Sequence, residues 1–235
     1  MVEAARDLKA SIHERPEFMV RLLAVEGANP QVAEDIRANI HLDFPLSSFD
    51  LDLDALHKQV TELPPVQEAT LRVRPGGVLE IGVVERVPAL VWRNKEGLGL
   101  LDVDGVRITN IEARSDRPEL PLVVGAGADK NVTEALDLVR AAAPIASRLR
   151  GLQRVGERRW DVVLDRNQII QLPENGAVRA LERVILLDSA QDLLARDVSH
   201  IDLRNARRPT LRLVPSSLEE LRKIRGMELG VNFDE

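Results

Sequence analysis

The side chains best suited to chemistry near neutral pH are the four histidines, His13, His41, His57 and His200. A histidine can ligate a metal or shuttle a proton, but either task needs partners at a set spacing. No two of them stand four residues apart, and no His-Glu-x-x-His run occurs. Each reads as a surface or half-buried side chain, and no metal site is expected. Asp102 and Asp104, either side of Val103, could begin a calcium loop. The further oxygen ligands and the closing glutamate are missing, so Asp104-Gly105 reads as a tight hairpin turn. Gly125-Ala126-Gly127 follows an apolar run, yet it lacks the third glycine and the spacing of a dinucleotide loop. No serine sits in a Gly-x-Ser-x-Gly elbow. Glu85 and Arg86 are neighbours on an expected strand and point to opposite faces, which suits docking better than acid–base work. No enzyme activity, cofactor or small-molecule substrate is expected. By elimination the chain reads as a binding module.

Composition narrows the class further. The 235 residues are 44% hydrophobic and only 3% aromatic, with no tyrosine, so Val, Leu, Ile and Ala must build the cores. That length holds one large domain or two ordinary ones. The net charge is −6 and both signs are interspersed. An acidic chain with no basic patch among aromatics is a poor ligand for nucleic acid or for an anionic membrane surface. The absence of cysteine excludes a disulfide framework and thiolate zinc sites. The longest apolar runs fall well short of the roughly 18–20 residues of a membrane helix. No signal-peptide pattern opens the sequence.

The elements that must position any binding surface follow from periodicity and breakers. Residues 1–17 are charged and close on Pro16, a lead-in. The run 18–27 is an apolar strand stopped by Gly27. Val32, Ile36 and Ile40 mark one helix stripe, and Leu53, Leu56, Val60 and Leu63 a second, ended by Pro64-Pro65. Two alternating strands follow around Pro75-Gly76-Gly77. The run Ile81–Trp92 then meets Pro88, which has no N–H for a ladder and so ends the strand. The order is β-α-α-β-β over 18–91, followed by a mostly β stretch over 92–215. That stretch holds a hairpin at Asp104-Gly105, a short strand before Gly125 and a helix over 131–150 kinked at Pro144. Paired strands around Asp165-Arg166-Asn167, a helix over 180–195 and a last hairpin over 198–215 complete it. Residues 216–235 form a polar tail.

Several of these segments resemble the FtsQ/DivIB family of bacterial cell-division proteins. Val25-Glu26-Gly27, Leu63-Pro64-Pro65-Val66, Arg74-Pro75, Glu85-Arg86-Val87-Pro88 and Trp92 stand in the order of that family's POTRA domain and its exit. The later runs LLDVDGVRI, ELPLVVG, RRWDVVL and HIDLRN are similar to the motifs of its second domain. The resemblance covers about residues 18–215. It implies an α+β chain: a juxtamembrane lead-in (1–17), an N-terminal POTRA domain (18–91), a mainly antiparallel β domain with flanking helices (92–215), and a C-terminal tail (216–235).

The same resemblance implies a non-enzymatic scaffold of the divisome. It would recruit and position other membrane division proteins for septum assembly, from the periplasmic side of the bacterial inner membrane. Such proteins carry a transmembrane helix that this sequence lacks, so it looks like the soluble part alone. The β domain is expected to bind FtsB/FtsL-like proteins, and the POTRA domain other divisome membrane proteins. Partner contacts are expected at Arg204, with Arg158 and Arg159 nearby, and along an edge strand holding Thr210, Leu211, Arg212 and Leu213, bracketed by prolines. Glu85, Arg86, Pro88 and Trp92 are expected at the join between domains. The alternatives weighed are a POTRA-type chaperone module of outer-membrane protein assembly or secretion, and a hydrolase with a dispersed active site. Against the first stand a single POTRA unit and the lack of a barrel-length series of strands.

Overall fold

Apolar residues at helical spacing after an Asn-Pro pair give the first helix its start. Asn29 Oδ1 accepts from the backbone N–H groups of Gln31 (2.9 Å) and Val32 (3.1 Å), and Pro30 takes the first helical position, where no donor is needed. The computed structural model describes residues 15–205 and 207–214; the start of the lead-in, Ala206 and the tail from Pro215 onward lie outside them. Contacts divide the chain into residues up to 87 with 107–109, and residues 88–106 with those from 110 on. Helices and mostly antiparallel sheets make it a mixed α+β protein.

The first unit holds β1 (Met19–Val20), β2 (Leu22–Glu26), α1 (Pro30–Asn39), β3 (Leu46–Ser47), α2 (Leu53–Thr61), β4 (Val66–Arg74) and β5 (Val78–Glu85). β2, β5 and β4 form a three-stranded sheet in that order, with β2 parallel and β4 antiparallel to the central strand. The single strand expected over 18–27 is interrupted at Arg21. There the Arg21 and Leu22 amides both donate to the Gly77 carbonyl (2.8 and 3.3 Å), and β1 pairs with β3 instead. One sheet face carries Leu79 and Ile81 against Ile36 and Val60 of the helices, all buried. The opposite face centres on Glu80, whose carboxylate is held by Arg72 (Nε 2.7 Å) and Arg74. A buried carboxylate between two guanidinium groups is paired rather than stranded.

The second unit contains β6 (Leu90–Asn94), β7 (Gly97–Leu101), the end of β8 (Arg107–Ile111, of which 107–109 group with the first unit), β9 (Leu122–Val124), α3 (Val132–Ala141), β10 (Leu149–Val155), β11 (Arg159–Leu164), β12 (Ile169–Gln171), α4 (Ala177–Gln191), β13 (Val198–Asp202) and β14 (Thr210–Leu213). They make a nine-stranded sheet ordered β14-β13-β12-β11-β10-β9-β6-β7-β8. The helix expected over 131–150 is shorter in fact. It stops at Ala141, a 3-10 stretch with a non-helical Ile145 covers Ala143–Arg148, and β10 begins at Leu149. Pro144 is the cause, since it cannot donate to the preceding turn. β6 and β7 form a tight hairpin unforeseen from the sequence, in which Asn94 Oδ1 accepts from the amides of Glu96 (2.8 Å) and Gly97 (3.1 Å). At the Asp102–Val106 turn Gly105 has φ +83°, and a Cβ there would lie 1.9 Å from the Asp129 carbonyl oxygen. Only glycine fits.

The core of this unit lies under α3 and α4. Ala135, Leu138, Leu181 and Val184 cover Val123, Leu152, Val162, Ile170 and Ile201 of the sheet. Trp160 on β11 is fully buried there, with Nε1 donating to Glu134 Oε2 at 2.8 Å. Arg154, opposite Trp160 on β10, lies 4.8 Å over the indole ring and donates to the same carboxylate at 2.9 Å.

Candidate functional site

One row of residues crosses eight strands of the large sheet. Gly99 pairs with Trp92, Trp92 with Val123, and Val123 with Leu152. The row continues through Val162, Ile170 and Ile201 to Leu211 on β14. From Val123 to Ile201 its members are buried, whereas Leu211 is 46% exposed. Successive strand residues alternate faces, so Leu211 points to the same side as the buried row and is wet only because the sheet order ends there. Leu213, two residues on, packs partly against the core. Thr210 and Arg212 take the other face and are exposed. β14 pairs with β13 alone in the sheet order, so its second edge presents unpaired backbone groups among the described residues.

The adjoining row on the opposite face is polar. Asp161, Gln171, Asp202 and Thr210 are in register across β11, β12, β13 and β14. Arg204 grips Asp202 by two prongs, Nε to Oδ1 at 2.9 Å and Nη2 to Oδ2 at 2.6 Å, while its backbone N–H donates to Oδ1 at 3.0 Å. Arg159 pairs with Asp161, two residues along β11 on the same face. Hydrogen bonding from Arg204 pulls the Asp202 carboxyl below its ordinary range, and that bond in turn raises Arg204. Asp161 moves the other way, because burial outweighs the attraction of Arg159. The result is an alternating patch of two arginines and two aspartates beside the sheet edge. Arg204 remains 52% exposed in its side chain, so an incoming carboxylate could share it.

The remaining residues singled out from the sequence lie as follows. Arg158 occupies the β10–β11 turn, exposed. Glu85, the last residue of β5, accepts from the Asn29 side-chain amide at 2.9 Å and from its backbone N–H. The Arg86 amide donates to the Pro65 carbonyl at 2.8 Å. Pro88 is half-buried and opens the second unit. Trp92 is partly buried against that unit's core and donates from Nε1 to the Gly125 carbonyl at 2.9 Å. Three of the histidines make local contacts: His41 with the Asn39 carbonyl, His57 with the Ala69 carbonyl, and His200 with Ser199 Oγ. Among the described residues no group of three or more His, Asp or Glu could hold a metal ion, and no helix is long and apolar enough to cross a membrane.

Sequence reading missed Asp161 as a member of the patch, although Arg159-x-Asp161 on a strand puts opposite charges on one face. It could not see the register that sets Asp161 in line with Asp202. Comparison with known proteins places the chain as a whole. The family model for the C-terminal part of cell-division protein FtsQ/DivIB matches residues 90–204, ending short of β14. A cell-division protein FtsQ of Roseobacter litoralis is 54% identical over 211 residues, 90% of this chain and 72% of the relative. One from Cereibacter sphaeroides is 50% identical, over 97% of this chain and 74% of the relative. One from Paracoccus denitrificans is 48% identical, over 93% and 65%.

Proposed function

Because this chain belongs to the FtsQ/DivIB family of cell-division proteins, we propose that it is a non-enzymatic scaffold of the divisome that binds a partner by adding a strand to β14. The observation that supports this most is the apolar row that stays dry from Val123 to Ile201 and then ends on a half-exposed leucine at an edge unpaired among the described residues. A strand laid beside β14 would extend the row by one member and pair the open backbone groups. Backbone bonds would supply affinity, and the residues on either side of the backbone specificity. Leu211 and Leu213 face apolar residues of the partner in this reading, while Thr210 and Arg212 face its polar side. Arg204 and Arg159 meet an acidic residue, with Arg158 close by in the turn.

The partners in this reading are FtsB/FtsL-like division proteins at the second unit. The first unit, in which the short β3 stands between the two helices of the expected β-α-α-β-β order, serves as a POTRA domain that engages other divisome membrane proteins. The protein works at the periplasmic side of the inner membrane, at the septum.

The test is a binding titration with the purified periplasmic FtsB/FtsL-like pair of the same organism. Arg212→Pro removes a backbone donor from β14, and Leu211→Asp places a charge at the end of the apolar row. Each folded variant should bind at least about tenfold more weakly, the weight of one or two lost interactions at a desolvated contact. Wild-type affinity in both variants, with unchanged circular dichroism, would refute edge pairing.

A further inference from the structure

We propose that Arg148 and Gln168 are positioning residues for the partner-binding edge, acting on β14 through the start of β13. The inference rests on the edge reading above and adds a pair of residues whose side-chain hydrogen bonds go to elements other than β14. Gln168 is 5% exposed, in the turn that leads into β12. Its Nε2 donates to the Val198 carbonyl at 2.8 Å and the Leu194 carbonyl at 3.1 Å, with a longer contact to Arg196 O at 3.3 Å. Its Oε1 accepts from Arg148 Nη2 at 2.5 Å. Arginine has donors only, so this bond decides which way the amide faces. With the oxygen turned to Arg148, both N–H groups must point at the carbonyls of residues 194–198. Arg148 is itself fixed by Asp165 Oδ1 (2.8 and 2.9 Å) and by the Leu194 carbonyl (3.0 Å), which also accepts from Arg166 at 2.8 Å.

This arrangement sits where the backbone ladder around β13 is interrupted. β12 and β13 are in register from Ile169↔His200 onward, so Val198 lies before the first paired residue. On its other side the β13–β14 register slips between Val198 and His200. The Gln168 side chain supplies the bond at Val198 that no backbone amide of β12 does. Val198 faces Leu213, and the Val214 amide donates to the Asp197 carbonyl at 3.0 Å. The far end of β14 is thus tied to Val198, which Gln168 holds, and to Asp197 beside it. Releasing them frees Leu213 and lets β14 fray toward Leu211.

The experiment compares Gln168→Met, which keeps length and loses the polar ends, with Arg148→Lys, which keeps the cation and loses the fork. Hydrogen exchange of the unbound chain is read first. Amides of 198–202 and 211–214 should exchange at least about tenfold faster in Gln168→Met, while those of Leu152 and Val162 stay protected, as expected for a sub-global opening. The Kd for the purified FtsB/FtsL-like pair should rise about tenfold, with Arg148→Lys in between. If Gln168→Met does not fold, Arg148→Lys alone decides by the same two measurements. Uniform loss of protection with unchanged affinity of the folded fraction would mean a purely structural role and would overturn the inference. Leu211→Asp separates the two levels. Wild-type binding by that variant defeats the edge reading itself; lost binding there, beside normal exchange and affinity in Gln168→Met, defeats only the positioning role.

Discussion

Replacing Trp160 with phenylalanine tests whether the large sheet is held to α3 by a three-member polar contact inside its core. Trp160 is fully buried, its indole N–H reaches Glu134 at 2.8 Å, and Arg154 covers the ring while bonding the same carboxylate. Phenylalanine keeps the ring but removes the donor and the fused pyrrole. A hydrogen bond to a charged group contributes about 1.5–3 kcal/mol. Glu134 is 36% exposed in its side chain and can recover water, so the lower end applies. The missing pyrrole leaves a void of roughly 40 Å³, which at about 24 cal/mol per Å³ costs ~1 kcal/mol. Lost apolar transfer adds about 0.5–1 kcal/mol. The expected loss is therefore about 3 kcal/mol. Urea unfolding followed by far-ultraviolet circular dichroism measures it, with the fluorescence of Trp92, then the sole tryptophan, as a second probe of the same core. A double-mutant cycle with Glu134→Gln should give a coupling of about 1 kcal/mol. A loss below about 1 kcal/mol, or no coupling, would mean that the indole N–H and the carboxylate are not partners in solution.

Two further outcomes are expected. Asn29→Ala removes the cap of α1 together with its link to Glu85, so the first unit should lose about 1–2 kcal/mol in urea unfolding, and Asn29→Asp should recover the cap but repel Glu85. For the charged patch, the depressed Asp202 binds its proton less readily folded than unfolded, so its contribution holds above its ordinary value of 3.8 and fades as pH falls through the lower folded value. Asp161 is raised and has the opposite sign: the fold gains as pH drops through the raised value. Stability measured from pH 7 to 3 should therefore show a shallower acid decline in Asp202→Asn than in the wild type. In Asp161→Asn the decline should be steeper, because the compensating gain is gone. Identical acid limbs in all three proteins would remove the patch from the account.

The parts legible in the sequence are those decided locally. Asn29-Pro30 announced α1, Pro64-Pro65 ended α2, and Asp104-Gly105 marked a turn, because caps and turn residues act within a few positions. The helix read over 131–150 overran the first two residues of β10, since Ala141–Ala146 favours helix and the strand is irregular at its start, with a register shift between Leu149 and Gly151. The β6–β7 hairpin was missed because its two-residue turn is Lys95-Glu96, without the Asn-Gly or Asp-Gly that marks such turns, and it relies on the Asn94 side chain capping two amides. The candidate site divides the same way. β14 could be proposed as an edge from its prolines alone, but the wet end of a dry row is a property of register. The contacts of Gln168 reach Leu194, Arg196 and Val198, 26 to 30 residues on, and no local pattern encodes them.

β9 has a consequence for how the molecule is made. This three-residue strand is parallel to both β6 and β10, and the pairs it forms join segments remote in the chain. The β6–β7 and β10–β11 hairpins arise from neighbouring residues and can form within microseconds. A parallel seam rewards nothing until long loops have closed around it. The two parts of the sheet therefore have no backbone connection until Val123 is caught between Trp92 and Leu152. While that seam is open, both hairpins expose strand edges, and the growing chain is at its most vulnerable to joining with a copy of itself.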